Sequence, residues 1–325
     1  MTAALSVEGL RVDLHTPGGV LRAVDNVGFT VHKGRTLALL GESGCGKSLT
    51  AQAIVGLLDP VAEVTGGSAH VGDTDVIALG RAGRRKIAGP KLAIVFQDAL
   101  TALNPVQPVG RQLAEPFRIH RGLSRRAAKA EAIELMGRVG IPEPAARYRS
   151  YPHQFSGGMR QRLLIAMAVA LGPDVLLADE PTTALDVTVQ AQIMRLLRDL
   201  QTERDMAVVL ITHDLALVAE RADDVAVMYA GNVVETGPVR EVFDHPRHPY
   251  TKGLLDSVPE HARKGVPLAA IGGSPPELSL IPSGCVFQAR CPLAADRCVE
   301  ERPRLEPAGD GRSAACHFSE ELTHA

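Results

Sequence analysis

The sequence contains no tryptophan, and aromatic residues make up only 3% of its 325 residues. A core must therefore be built from aliphatic side chains, and a hydrophobic content of 45% supplies ample material for one. A chain of this length is expected to form one large domain together with a smaller one.

A strong excess of one charge is also absent. The formal net charge is −2, and no long basic stripe occurs, so nothing predicts a nucleic-acid-binding groove.

The longest apolar run, 163–171, is too short to span a bilayer. The first six residues lack the basic start and apolar centre of a signal peptide. We therefore expect a soluble cytoplasmic protein that acts at a membrane only through another subunit.

Cysteine is scarce over most of the chain and concentrated near its end. Of five cysteines, four lie in the last fifth of the sequence: Cys285, Cys291, Cys298 and Cys316. A cytoplasmic setting argues against disulfides and for a bound metal. Five, six and seventeen residues separate them, so the C-x-x-C pair typical of a zinc ribbon is missing.

Residues 41–48 form a G-x-x-x-x-G-K-S motif, the P-loop. Its glycines let successive N–H groups approach phosphate at a helix start, its lysine supplies positive charge, and its serine hydroxyl can ligate Mg²⁺. An apolar run at 36–40 precedes the motif, and a predicted helix over 48–58 follows it. The predicted nucleotide-binding residues here are Gly41, Glu42, Ser43, Gly44, Cys45, Gly46, Lys47, Ser48 and Leu49.

The rest of the pattern predicts an α/β fold with a largely parallel sheet. Alternating apolar residues predict antiparallel strands over 5–14 and 24–31. Short apolar runs predict buried strands at 92–96, 175–178, 207–211 and 225–228. The spacing of apolar residues predicts helices over 112–119, 125–139, 158–170 and 187–203. Ser124 is the predicted N-cap of the second of these helices. The segment of about 98–171 is therefore expected to be a mostly helical insertion in the nucleotide-binding core.

The strand predicted at 175–178 delivers two carboxylates, Asp179 and Glu180, at its carboxyl end. In α/β sheets this end is where ligands bind. Asp179 is suited to holding Mg²⁺ through water, and Glu180 to polarising an attacking water. An acidic helix start after the strand is the alternative for this pair taken alone.

A third motif, Ser156-Gly157-Gly158, precedes a predicted helix. Small residues at a helix start make an anion-binding site. An ordinary capped helix is the alternative for this motif taken alone.

Together these motifs resemble the ATPase subunit of an ABC transporter over about residues 5–250. Five motifs occur in the order that is typical of the family: the P-loop, F-S-G-G-M at 155–159, A-D-E-P at 178–181, Ala184-Leu185-Asp186 and Thr212-His213-Asp214. The resemblance implies a P-loop NTPase core with an N-terminal antiparallel β-subdomain and a helical subdomain at about 98–171. It also implies a head-to-tail dimer, in which Ser156, Gly157 and Gly158 of one subunit act on ATP bound to the P-loop of the other.

The same resemblance assigns further roles. Glu180 matches the catalytic base or water-orienting residue, and His213 the γ-phosphate switch. Gln97 matches the residue that reaches Mg²⁺ and the water, and Asp186 the turn that links the two sites of the dimer. The implied Mg²⁺ set is Ser48, Gln97 and Asp179.

One position departs from the family pattern. ABC ATPases usually stack adenine on an aromatic residue before the second N-terminal strand, whereas this sequence offers Val20 or Leu21. Selectivity for the base is therefore expected to be weaker than selectivity for phosphate, and measurable GTP use is predicted.

The C-terminal region resembles the extension of oligopeptide, dipeptide and nickel importers. The matching stretches are 248–255, 271–278 and 282–285. The predicted division is an ABC ATPase domain over 1–256 and a cysteine-bearing extension over 257–325, joined by an irregular proline-rich connection up to about Gly284. A proline-rich tail packed on the core is the alternative.

These resemblances predict the ATP-hydrolysing subunit of an importer for peptides or a similar small solute, peripheral to the cytoplasmic face of the membrane. Expected partners are two permease subunits, a second ABC ATPase (a paralogue or a copy) and, indirectly, an extracytoplasmic solute-binding protein. A soluble ABC ATPase of DNA repair or ribosomes is the rival, disfavoured because only one cassette and no heptads occur. A regulatory module without turnover is disfavoured by the presence of Glu180 and His213.

The resemblance also associates the four C-terminal cysteines with a [4Fe–4S] cluster, in line with Cys₄ ligation of iron–sulfur. Zinc and unligated thiols remain alternatives, and His317 is a spare potential ligand beside Cys316.

Overall fold

The computed structural model of the protein describes residues 2–183, 185–257 and 271–324. Two compact units divide the chain. The first comprises the described parts of Met1–Leu5, Val31–Arg35 and Val71–Val209, and the second those of Ser6–Thr30, Thr36–His70 and Leu210–Ala325.

Strands and helices alternate along most of the described chain. The strands are β1 (Ala3–Thr16), β2 (Gly19–His32), β3 (Thr36–Leu40), β4 (Ala62–Val71), β5 (Thr74–Asp75), β6 (Leu92–Val95), β7 (Val175–Asp179), β8 (Ala207–Thr212), β9 (Asp224–Tyr229), β10 (Asn232–Pro238), β11 (Glu306–Pro307) and β12 (Ser313–Ala314). The helices are α1 (Lys47–Val55), α2 (Arg81–Ile87), α3 (Ala99–Ala102), α4 (Val109–Arg121), α5 (Arg125–Arg138), α6 (Pro144–Arg147), α7 (Gly157–Val169), α8 (Val187–Arg204), α9 (Leu215–Arg221), α10 (Val239–Asp244), α11 (Pro249–Asp256) and α12 (Asp296–Glu300).

The second unit has a mixed sheet that carries the P-loop at the end of one strand. β3 pairs in parallel with β9, from Leu37 opposite Asp224 to Leu40 opposite Val227. β10 runs antiparallel to β9, and β12 antiparallel to β10, so the order is β11-β12-β10-β9-β3. Every residue of β3 is buried, which explains why the apolar run was recognisable in the sequence.

The same unit holds most of an antiparallel sheet in the order β2-β1-β4. Its first two strands confirm the predicted N-terminal pair, because buried and exposed residues alternate along much of both. The third strand, β4, was not predicted. Its sequence contains Gly66-Gly67 and several polar residues, and only Ala69 and Val71 are buried.

The first unit contains the helical segment and one parallel strand pair. β6 pairs with β7, from Leu92 opposite Val175 to Val95 opposite Ala178. The helices α3 to α7 all lie between these two strands in the chain, which confirms the predicted helical insertion. Ser124 caps α5 as predicted, because its hydroxyl accepts the Ala127 N–H at 3.2 Å.

Some boundaries differ from the sequence predictions. α1 ends at Val55 rather than near Leu58, because Gly56 adopts the left-handed conformation (φ 74°) that terminates helices. The proline-rich connection lies partly outside the described residues; its described part, 271–284, is irregular apart from a 3₁₀ turn at Leu278–Leu280. Within the described residues no helix is both long and apolar enough to cross a membrane.

Candidate functional site: a phosphate-binding loop and a carboxylate strand end

The P-loop connects β3 to α1 in the second unit. Gly46 is the N-cap of α1 and has φ 102°, a conformation that a side chain would strain. Because glycine has no side chain to cap the helix, the N–H groups of the first turn face outward at the positive end of the helix dipole. The loop therefore presents an anion-binding end, as the sequence predicts.

At two glycines of the loop, the surrounding atoms leave no room for a side chain. A Cβ on Gly41 would lie 2.2 Å from the Met228 carbonyl oxygen and 2.8 Å from the Cys45 sulfur. A Cβ on Gly46 would lie 3.0 Å from the Ala23 carbonyl oxygen. The backbone of the loop thus packs directly on other backbone, which fixes the curvature of the phosphate cradle.

The Lys47 ammonium lies inside the loop. Its Nζ donates hydrogen bonds to the carbonyl oxygens of Gly41 at 2.8 Å and Glu42 at 2.9 Å. The side chain is only 5% exposed. Its charge is therefore held within the cradle, as a group that binds phosphate requires.

In the first unit, β7 ends at the two predicted carboxylates. Asp179 is buried, and Glu180 follows it with φ 42°, a left-handed conformation that costs a non-glycine residue about 1 kcal/mol or more. The Glu180 carboxylate accepts a hydrogen bond from the Gln97 amide at 2.7 Å and from the Thr183 hydroxyl at 2.8 Å, both at Oε2. A carboxylate held in this way is oriented for work on a water molecule.

The Ser156-Gly157-Gly158 segment opens α7, also in the first unit. Ser156 is the N-cap, and its hydroxyl accepts the Met159 N–H at 3.4 Å. Ser156 and Gly157 are exposed. A Cβ on Gly158 would lie 2.5 Å from a methyl carbon of Val189, so this glycine lets α7 approach the next helix closely. The segment thus offers a capped helix start on a surface that a partner can reach.

Two further predicted residues lie at starts of helices. Asp186 is the N-cap of α8 and accepts the Val189 N–H at 2.9 Å. Ala184, from the same predicted turn, lies outside the described residues. His213 is exposed and precedes Asp214, the N-cap of α9.

The four C-terminal cysteines lie in one region of the second unit. The Cys285 N–H donates to the Cys298 carbonyl oxygen at 2.7 Å. Burial raises the pKa of the Cys316 thiol to about 11, and the negative charges of the other three cysteines contribute to the rise. Nevertheless, the described residues contain no group of three or more His, Cys, Asp or Glu side chains placed to hold a metal ion. As arranged, these thiols do not fit an iron–sulfur cluster, and that prediction is without support here.

Sequence reasoning missed two contacts of the P-loop. The Tyr250 hydroxyl accepts the Glu42 N–H at 2.9 Å, and the Arg290 guanidinium forms an ion pair with the Glu42 carboxylate at 2.7 Å. Both residues are about 200 or more positions away in the chain. The stretch 248–255 resembles the importer extension, but nothing in its sequence indicates a partner in the loop.

Comparison with known proteins identifies the family. Residues 24–183 match the family described as ABC transporter, and residues 234–298 match the oligopeptide/dipeptide transporter C-terminal region. The dipeptide transport ATP-binding protein DppD of Bacillus subtilis is 48% identical over 99% of this chain and 96% of its own length. The chain belongs to the ABC transporter ATP-binding proteins.

Other members of the family give the same result. DppD of Escherichia coli is 46% identical over 97% of both chains, and a putative peptide import ATP-binding protein of Brucella abortus is 50% identical over 96% of this chain and 94% of its own. This similarity extends through the C-terminal region. The soluble ABC ATPases of repair or ribosomes are therefore not favoured.

Solved ABC cassettes share the fold. The ATP-binding cassette MJ0796, solved as a dimer in a post-hydrolysis state bound to ADP and phosphate, superposes with a TM-score of 0.65 at 28% identity, covering 73% of this chain and 99% of that one. CbiO1 of Clostridium perfringens gives 0.63 at 28% identity, covering 75% and 92%. The predicted ABC ATPase fold is thereby confirmed for the cassette part of this ABC protein.

Proposed function

We propose that this protein is the ATP-hydrolysing subunit of an ABC importer for dipeptides or oligopeptides. The observation that carries the proposal is the similarity of nearly the whole chain to proteins named for dipeptide transport and peptide import. The match includes the region beyond the cassette, which resembles the C-terminal region of oligopeptide and dipeptide transporters. The reaction is ATP + H₂O → ADP + phosphate.

The geometry of the loop supports triphosphate binding. The helix start at Gly46 supplies N–H donors, and the buried Lys47 supplies a positive charge. We assign the phosphates to this cradle, with Ser48, Asp179 and Gln97 as the residues that would hold Mg²⁺, as the family resemblance implies. A serine hydroxyl, a carboxylate and an amide oxygen are oxygen ligands of the kind that Mg²⁺ prefers. When bound, the ion would neutralise charge on the phosphoryl oxygens.

Hydrolysis needs an oriented water, and the proposal assigns that task to Glu180. Its carboxylate oxygen Oε2 accepts hydrogen bonds from Gln97 and Thr183. The two contacts restrict rotation of the carboxylate, which lowers the entropic cost of aligning it with a water. His213 is assigned to the γ-phosphate, where an imidazole N–H can donate to a phosphoryl oxygen.

The second binding surface is proposed to come from a partner cassette. Support comes from the exposed Ser156 and Gly157 at the start of α7, and from the dimeric form of the related cassette MJ0796. In such a dimer Ser156, Gly157 and Gly158 would face triphosphate on the partner's P-loop, with Asp186 at the turn between the two sites. Loss of the γ-phosphate would then release the two halves.

The remaining partners follow from the importer assignment. An ATPase of this type would bind two permease subunits at the cytoplasmic face of the membrane, through the helical segment of about 98–171. A solute-binding protein would act only indirectly, through the permeases. We also propose the division into an ATPase domain (1–256) and a C-terminal extension (257–325).

The test is co-purification. Affinity purification of the tagged chain from gently solubilised membranes is expected to bring down two integral membrane proteins and to show ATPase activity. Recovery in a ribosome-bound pool, with none in the membrane fraction, would contradict the proposal.

An iron–sulfur cluster on the four C-terminal cysteines is a hypothesis with support from the family resemblance alone. Against it, the four cysteines form no metal-holding group among the residues that the structure describes. Iron and sulfide analysis of anaerobically purified protein decides: about four irons per chain, as the cluster formula requires, would support it, and stoichiometric zinc or bare thiols would reject it.

A further inference from the structure

Glu42, the second residue of the P-loop, is held from the C-terminal side of the chain at two points. Its backbone N–H donates to the Tyr250 hydroxyl at 2.9 Å. Its carboxylate receives two hydrogen bonds from Arg290, Nη1 to Oε2 at 2.7 Å and Nη2 to Oε1 at 3.1 Å. The second contact is therefore the two-pronged arrangement that fixes a guanidinium and a carboxylate in one plane.

Arg290 is itself fixed by its surroundings. Its side chain is only 5% exposed, and its Nε donates to the Gly272 carbonyl oxygen at 2.9 Å. Its guanidinium carbon lies 5.7 Å from the ring centre of Tyr229 and 6.0 Å from that of Phe287. The hydrogen bonds to Glu42 are the main cause that raises the pKa of Arg290. The cation is thus oriented before any ligand arrives.

Tyr250 is equally fixed. It is fully buried, and its ring packs against Tyr229 at 4.7 Å and Phe287 at 5.4 Å between centroids. These three aromatic residues and Cys285 belong to the same buried cluster as Leu40, the residue that precedes the P-loop. Because aromatic residues are only 3% of the chain, their concentration behind one loop residue marks a specific packing site.

The contacts at Glu42 lead directly to the phosphate-binding lysine. The Glu42 carbonyl oxygen accepts a hydrogen bond from Lys47 Nζ at 2.9 Å. Glu42 is therefore held through its N–H, its carboxylate and its carbonyl oxygen at once. A shift of this residue would move an acceptor of the lysine and the path of the loop after Gly41.

We propose that Arg290 and Tyr250 are positioning residues of the nucleotide site, and that together they form a clamp on Glu42 that holds the P-loop ready for triphosphate. The clamp makes the C-terminal region part of the support of the site. A loop held in its binding geometry loses less conformational freedom when the ligand binds, so the gain appears as affinity. The inference rests on the proposed function only in requiring that the loop binds a nucleotide.

Through the clamp, the conformation of the cysteine-bearing segment can influence nucleotide binding. Phe287 and Arg290 lie between Cys285 and Cys291 in the chain. A change that rearranges this short segment would move the guanidinium away from Glu42. Nucleotide affinity would then depend on the conformation of this segment.

A purely structural ion pair is the competing explanation, and it predicts a different result. It would lower the melting temperature when removed, without changing ATP affinity of the folded protein. The clamp predicts a selective loss of ATP affinity. Its effect should appear in Kd and KM, while kcat at saturating ATP stays nearly unchanged.

The experiment measures binding of a methylanthraniloyl-ATP probe to the purified full chain, and ATPase kinetics of the purified complex. Arg290→Met removes the positive charge, and Arg290→Lys keeps the charge but cannot form the bidentate contact with the carboxylate. Tyr250→Phe removes only the hydroxyl group. The matched control is Arg297→Met, which breaks an exposed ion pair with Glu301 (3.2 Å) in the same C-terminal region.

We expect Arg290→Met to weaken probe binding by about tenfold or more, within the range of typical coupling between sites. Tyr250→Phe should weaken it by about three- to tenfold, as for loss of one hydrogen bond. Arg290→Lys should recover part of the loss, and Arg297→Met should stay within about twofold of the unmutated chain. In the kinetics, KM for ATP should rise in step with Kd.

Two results would overturn the clamp. One is unchanged probe affinity in folded Arg290→Met; the other, should that variant fail to fold, is unchanged affinity in Tyr250→Phe. Failure of the unmutated chain to bind the probe would refute the proposed function, and the clamp with it. Normal binding by the unmutated chain combined with normal binding by the variants would refute the clamp alone.

Discussion

The Gln97 amide nitrogen donates to the Glu180 carboxylate across 2.7 Å, although the two residues are 83 positions apart in the chain. The family resemblance matches Glu180 to the residue that orients the attacking water, and Gln97 to the residue that reaches Mg²⁺ and that water. Their contact gives Glu180 a defined orientation at the end of β7.

The Glu180→Gln variant should still bind nucleotide but should lose nearly all ATP hydrolysis. The amide cannot accept a proton, while it keeps the size of the side chain. A fall in kcat of about 10²–10⁴-fold is expected, the usual contribution of a general base, with probe affinity nearly unchanged. Steady-state ATPase and probe-binding assays check this, with Glu8→Gln, an exposed residue of β1, as the control. Unimpaired turnover would remove the assignment of Glu180.

Gly41→Ala should damage the phosphate cradle. The added Cβ would lie 2.2 Å from the Met228 carbonyl oxygen, so backbone must shift. A loss of stability of about 1–3 kcal/mol is expected from overpacking, and with it a large fall in ATP affinity. Gly80→Ala is the matched control, because a Cβ there has no neighbour within 4 Å. Equal ATP affinity in the two variants would show that the space at Gly41 is not needed.

GTP should be hydrolysed at a rate comparable to ATP. The residues expected near the base, Val20 and Leu21, have apolar side chains that cannot read the hydrogen-bonding edge of a purine, and Val20 is 60% exposed. We expect kcat/KM for GTP within about tenfold of that for ATP, since discrimination of the base then rests on weak apolar contact. Competition assays with both nucleotides measure the ratio. Strict preference for ATP would show that another residue recognises adenine.

Stability should depend on pH through two buried groups with opposite effects. Burial raises the pKa of Glu235 to about 7, although its carboxylate accepts the N–H groups of Arg247 and His248 and lies near Arg312. Burial lowers the pKa of His248 to about 3. The stabilising contribution of Glu235 to the free energy of unfolding is therefore present below pH 4.5 and is lost as the pH rises to about 7. The stabilising contribution of His248 is present above pH 6.5 and is lost as the pH falls towards 3.

Between pH 4.5 and 6.5 the two effects should cancel, so the free energy of unfolding should be nearly flat there. In His248→Asn it should fall as pH rises over this window, by about 1.4 kcal/mol per pH unit. In Glu235→Gln it should fall as pH drops, with a similar slope. Urea unfolding at a series of pH values checks both signs. Two variants with slopes of the same sign would contradict the assignment.

Much of the fold could be predicted because its strands are short, buried and apolar. β3 and β8 are buried at every residue and stand out as uninterrupted aliphatic runs. β4 gives no such signal, because only Ala69 and Val71 of its residues are buried and two others are glycines. A local apolar pattern thus indicates burial, and a strand with few buried apolar residues is missed.

The site was predictable to a similar, limited degree. Each motif has a local physical reason, such as the glycines of the P-loop or the N-cap serine of α7. The contact of Arg290 with Glu42 spans 248 positions. It depends on how the C-terminal segment packs behind the loop, which no local pattern encodes.

Uptake of a labelled dipeptide by cells tests the central claim most directly. Deleting the gene for this chain is expected to reduce ATP-dependent uptake to background. The unmutated chain should restore it, and the Glu180→Gln chain should not, although it is present at the membrane in equal amount. Uptake that persists without the chain, or that returns fully with the Glu180→Gln variant, would contradict the account.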